Sequence, residues 1–109
     1  MFKIAKDQTF RRLVKVAIPE GDGVRDDEFR ATFRAMSEEE EKAFDLFTVQ
    51  GGIEFLRAAV VGLDDVGDES GAALPYSETL RDRMIGLPYV RTAMIATYYR
   101  EVMGAKEGN

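Results

Sequence analysis

The sequence predicts an α+β fold: an N-terminal antiparallel β-hairpin or small sheet packed against a C-terminal bundle of about four helices. Two observations predict it. Before residue 36, apolar and polar residues alternate in two runs, the pattern of half-buried strands. After residue 36, apolar residues recur at helical spacing and are punctuated by serine caps, glycines and prolines. At 109 residues the chain is one domain, read as a β-rich part (1–36), a helical part (37–104) and a frayed tail (105–109). A chain of this size can bury roughly 65% of the surface its unfolded form exposes.

The elements follow in order. Phe2 to Ile4 is expected as a short strand. Thr9 to Ile18 (TFRRLVKVAI) is a better one, with Phe10, Arg12, Val14, Val16 and Ile18 on one face and β-branched residues to support it. Pro19 to Gly23 carries turn chemistry, and Glu20 to Asp27 is expected to be a wide, mobile connection. Glu28 to Ala35 (EFRATFRA) alternates again, placing Phe29, Ala31, Phe33 and Ala35 against a core and Glu28, Arg30, Thr32 and Arg34 in water. Ser37 to Glu40 is a capping box that opens a helix, and the glutamates at 38 to 41 complement the positive end of its dipole. Ala43, Phe44, Leu46 and Phe47 form the expected apolar face of that helix. Gln50-Gly51-Gly52 is expected to break it, and Ile53 to Val61 to resume as a second helix through Ile53, Leu56 and Val60.

An acidic loop (Leu63 to Ala73) then leads to Leu74 and Pro75, where the chain turns into a helix capped by Ser77. Leu80 and Met84 lie on its core side, and Gly86 ends it. From Pro88, acceptable at a first helical position, a last helix runs to about Met103 with Val90, Met94, Ile95, Tyr98 and Val102 in a broad apolar stripe.

Composition excludes several classes of function. Lys and Arg number 15 against 20 Asp and Glu, and the resulting net charge of −5 disfavours holding a nucleic-acid backbone by counterion release. There is no cysteine and no histidine, so disulfides, thiolate zinc sites, the commonest metal ligand and the usual general base are all missing. Asp64, Asp65, Asp68 and Glu69 surround Gly67 and Gly71, but an EF-hand loop counted back from Gly71 would begin at Val66, which offers no ligand. The same glycines lack the strand-Gly-Lys-helix context of a phosphate cradle, and neighbouring carboxylates would repel phosphate. No cofactor and no metal are expected. No window is long and apolar enough for a membrane helix or a signal peptide, which points to a cytoplasmic protein without membrane contact.

Four pieces, read together, give more. They are the opening FKIAKDQTF with its strand, the hairpin end FRATFRAMSEEE, the segment VVGLDDVGDESGAALPYSE, and the closing LPYVRTAMIATYYREVMG. In content and order the chain resembles the bacteriophage tail assembly chaperones, specifically a small type encoded in long-tailed phages and prophages. The last two pieces are the specific ones: an acidic glycine-containing turn, then Leu-Pro-Tyr-Ser, then a Pro-Tyr-Val-Arg helix opening. Leu63 stands where that family more often has an aromatic residue.

The resemblance implies a non-enzymatic protein of the host bacterial cytoplasm that binds the aggregation-prone tape measure protein for tail-tube assembly. The tail tube protein is a further candidate partner, and self-association is compatible with the role. The family offers no catalytic residues to carry over. The alternative is a structural tail component, such as a completion or connector subunit, retained in the virion. A small enzyme using paired carboxylates such as Asp64 and Asp68 is a third reading, with nothing to orient them. Leu80, Met84, Leu87, Tyr89, Met94, Tyr98, Tyr99 and Val102 are the candidate partner-binding residues, because a client site should offer modest apolar surface flanked by charge. Burial of the same residues in the core is the competing expectation.

Overall fold

A computed structural model describes residues 1–104; the expected frayed tail (105–109) lies outside the described residues. Alternation in the first third of the chain produces two twelve-residue strands, β1 (Thr9–Glu20) and β2 (Gly23–Arg34). They pair antiparallel along their whole length, from Thr9 opposite Arg34 to Glu20 opposite Gly23. The connection is therefore a two-residue turn and not a wide loop. Gly21 makes this turn by taking φ +57, which costs a glycine little. The strand expected at Phe2 to Ile4 is absent: both residues are exposed and the segment has no strand pairing.

Val14, Val16, Phe29, Ala31 and Phe33 are buried on one face of the hairpin, as their alternation requires. Val60–Asp64 adds a third strand, β3, antiparallel to β2 through Arg30–Phe33, with a bulge that leaves Val61 unpaired. The sheet order is β1-β2-β3. This strand corrects the expectation that helix continues to Val61 and that residues 37–104 are helical throughout. Its β-branched pair Val60-Val61 follows directly on helical Ala58-Ala59, so the apolar run hides the change of period. Leu63 seals the core from β3.

Helix α1 (Glu38–Glu41) is a single turn. The Ser37 hydroxyl accepts from the Glu40 amide at 3.2 Å while the Glu40 carboxylate accepts from the Ser37 amide at 3.0 Å. Past Lys42 the chain turns irregularly, and of the expected apolar face only Phe44 packs on the core. Ala43, Leu46 and Phe47 are exposed. Gly51 and Gly52 do not break a helix; they lie in the first turn of α2 (Val49–Ala59), whose N-cap Thr48 accepts from the Gly51 amide at 2.9 Å. A Cβ at Gly51 would collide with the backbone carbonyl of Asp45, so glycine lets the incoming chain fold tightly back on this helix.

Helix α3 (Glu78–Ile85) starts from the Ser77 cap and ends at Gly86, and α4 (Pro88–Val102) follows with proline in its first turn. Helix α4 packs on β1 and α2, and α3 bridges α2, α4 and β3. At the centre stands Tyr98, fully buried, with the Phe10, Phe33 and Phe55 rings 5.7, 5.7 and 4.9 Å from it. Rings that meet at tilted and edge-on angles suit the aromatic quadrupole and add to the area they bury. Among the described residues no buried side-chain nitrogen or oxygen lacks a partner, and no helix is long and apolar enough to cross a membrane.

Candidate functional site

The candidate partner-binding residues divide into two groups in three dimensions. Leu80, Met94 and Tyr98 are core residues. Tyr99 is half-buried, stacked on Phe55 with ring centroids 5.6 Å apart, and its hydroxyl reaches the Glu41 carboxylate at 3.3 Å. Burial and that negative charge push the Tyr99 hydroxyl up to about 12. Val102 is exposed near the far end of α4. These five do not form one accessible surface.

Met84, Leu87 and Tyr89 do come together, at the turn between α3 and α4. Proline at 88 and the short link Gly86-Leu87 force this turn to be sharp, and Leu87 is left 40% exposed at its apex. The Arg91 guanidinium donates to the Ile85 carbonyl at 2.9 Å, holding the end of α3 against α4 with a cation at the negative pole of the helix. Across from this turn lies the outer half of the hairpin. Between them a groove of about 210 Å³ is lined by Val16, Ile18, Phe29, Val66, Met84, Leu87, Tyr89 and Val90. A second depression behind Leu87 shares Val66, Gly67, Met84 and Leu87 and reaches Leu74 and Leu80.

Charged groups rim the groove. Arg25, Asp27 and Glu28 come from β2, and Asp65 from just past the end of β3. Arg25 donates to Glu20 at 3.0 Å and to Asp27 at 2.8 Å, so its charge is already matched. The Asp27 carboxyl is held below its ordinary range, first by the Glu28 amide and then by Arg25. Arg30 stands 3.6 Å from Asp65. Asp27 and Asp65 are thus each matched by an arginine, and Glu28, neighbour of the core residue Phe29, projects from the other face of β2.

The acidic segment is an ordered small hairpin. Leu74 donates its amide to the Val66 carbonyl at 2.8 Å, and Asp68 gathers the Ser70 amide, the Ser70 hydroxyl and the Ala72 amide at 2.9, 2.6 and 3.0 Å. Those bonds, the Ser70 hydroxyl first, hold the Asp68 carboxyl below its usual range. Asp68 Oδ1 therefore builds the turn. Among the described residues no three carboxylates converge as a metal site would require. Sequence reasoning missed Ile18, Phe29 and Val66 as groove residues, since only the packing of the β1–β2 hairpin and the return of loop 65–74 bring them to the α3–α4 turn.

No family model, curated protein or solved structure matches the chain.

Proposed function

We propose that the protein is a non-enzymatic tail assembly chaperone of a long-tailed phage or prophage, acting in the host cytoplasm. It binds the tape measure protein and delivers it for tail-tube assembly. The observation that carries this reading is the ordered likeness of four sequence segments spanning nearly the whole chain, the most specific being VVGLDDVGDESGAALPYSE and LPYVRTAMIATYYREVMG. The groove at the α3–α4 turn supports it, because those two segments furnish Val66, Leu87, Tyr89 and Val90 to its wall. A holding protein must cover client apolar surface yet release it, which favours a small site with a charged rim over a large dry one.

Co-expression with the cognate tape measure protein tests the proposal. The client is expected in the soluble fraction with the wild-type protein and in the pellet without it. Leu87→Asp places a charge at the exposed apex of the groove and should return the client to the pellet while the variant stays folded by circular dichroism. A client whose solubility does not respond to the wild-type protein refutes the function. A client kept soluble by the variant refutes the site. Mass spectrometry of purified particles separates the chaperone, which is absent from them, from a retained structural tail subunit.

A further inference from the structure

Strand β2 is paired at twelve residues on one side and at four on the other. On the β1 side it is paired from end to end. On the β3 side pairing covers only Arg30–Phe33, because Asp65 takes a left-handed φ of 64 and the chain leaves the sheet. The outer half of β2, Gly23 to Phe29, therefore keeps an open edge directly beside the groove, whose wall includes Arg25, Asp27, Glu28 and Phe29.

The turn fixes which groups face that edge. In a hairpin closed by a two-residue loop, Glu20 and Gly23 form a hydrogen-bonded pair, and alternate residues of β2 bond to β1. Val24, Asp26 and Glu28 then present their amides and carbonyls outward. One of these amides is already engaged in a telling way. The Glu28 N–H donates to Asp27 Oδ1 at 2.8 Å, so a carboxylate serves as the acceptor that a neighbouring strand's carbonyl would otherwise supply.

We propose that this edge receives an extended segment of the client, added as a strand on β2 in line with β3. Its inward side chains are apolar and enter the groove beside Ile18, Phe29 and Leu87. Its outward side chains are Lys or Arg. Charge selects them: Asp26 and Glu28 project from the opposite face of β2, both are exposed, and among the described residues no ion pair engages either one. Basic residues on an added strand would be their cross-strand neighbours.

A second copy of the chain fits less well. Antiparallel pairing of β2 with its equivalent brings Asp26 opposite Asp26. The β1 edge of another copy offers Lys15, its Arg11 being matched by Asp64 at 3.1 Å, and its inward residues Val14 and Val16 are buried in their own core and would leave the groove unfilled. This inference rests on the chaperone reading only for the existence of a polypeptide client, and it specifies how that client is held.

The test uses a labelled, end-blocked peptide of about eight residues alternating valine with lysine, the length of a typical strand with a margin. Fluorescence anisotropy with the full protein should show saturable binding. A peptide of the same composition with its lysines grouped together, and one N-methylated at alternate residues so that it cannot pair with an edge, should each bind at least about tenfold more weakly. Asp26→Lys combined with Glu28→Lys changes only exposed side chains; this variant should lose the valine-lysine peptide and prefer a valine-glutamate one.

Equal binding of the N-methylated peptide overturns the proposal, as does an unchanged charge preference in the double variant or no binding to the wild-type protein. Sedimentation showing self-association that the double substitution abolishes would make a second copy the occupant and overturn it as well. Each of these failures leaves the co-expression result standing, so the mode of binding and the function fail separately.

Discussion

The Tyr98 hydroxyl accepts the amide of Met36 at 2.9 Å, tying the C-terminal half of the last helix to the segment between β2 and α1. Both partners are buried, Tyr98 at 0% and Met36 at 9% exposure. The bond therefore anchors the crossing from β2 into α1, which is too short to hold itself. Tyr98→Phe keeps the ring packing but strands a buried N–H, and chemical denaturation should report a loss of about 1–3 kcal/mol. Tyr98→Ala removes the ring as well and should cost about 3–5 kcal/mol.

Tyr99 makes stability depend on alkaline pH. Its hydroxyl is pushed up to about 12 from an ordinary value near 10, by burial first and then by Glu41. Folding thus favours the neutral phenol; the resulting stability is complete below pH ~10 and is lost as pH rises toward ~12. A thermal-melt series across that window should fall for the wild type and fall less for Tyr99→Phe. A tyrosinate titration in which every tyrosine ionises near 10 would contradict this account.

The two adjacent glycines of α2 should respond in opposite ways. Gly51→Ala drives a methyl into the Asp45 carbonyl, a backbone atom that cannot move aside, and should destabilise by about 2–3 kcal/mol. At Gly52 the methyl would meet the end of the Ile95 side chain at 3.4 Å, a flexible neighbour. Gly52→Ala should be neutral or stabilise by up to about 1 kcal/mol through helix propensity. Denaturant midpoints of the two variants decide the matter.

The acidic hairpin should loosen in acid. Asp68 is held below its ordinary range by the Ser70 hydroxyl and the amides of Ala72 and Ser70, so the bonds it makes persist above that range and are lost as pH falls through the lowered value. Hydrogen exchange at the Ala72 amide should speed up in that window relative to amides of α4. Asp68→Asn, which cannot change charge, should remove the pH dependence.

The alternating runs around Val14, Val16, Phe29 and Phe33 were legible because period two is local and each strand buries one face. The caps at Ser37 and Ser77 and the limits of α3 and α4 were legible for the same reason: each is set by residues within one turn. Strand β3 was not. Val60 and Leu63 are buried by pairing with a strand some thirty residues earlier, and nothing local separates that burial from a helical stripe. Phe47 was misread in the other direction, since its place in an apolar pattern says nothing about the chain turning at Lys42. The groove was only half legible: Leu87 and Tyr89 stand out beside Pro88, whereas Ile18 and Val66 reach it through tertiary structure alone.

The turn at Gly21-Asp22 also governs how the hairpin can change in length. Between Pro19 and Glu28 no side chain is buried, so this end of the ribbon answers to pairing and not to core packing. Inserting or deleting one residue on each strand keeps every partner opposed but reverses which face each tip residue presents beyond the change. Two residues on each strand restore the original facing. The reach of the acidic edge is therefore adjustable in whole pleats while the Tyr98 core stays as it is, and variants lengthened by such steps should melt within a few degrees of the parent.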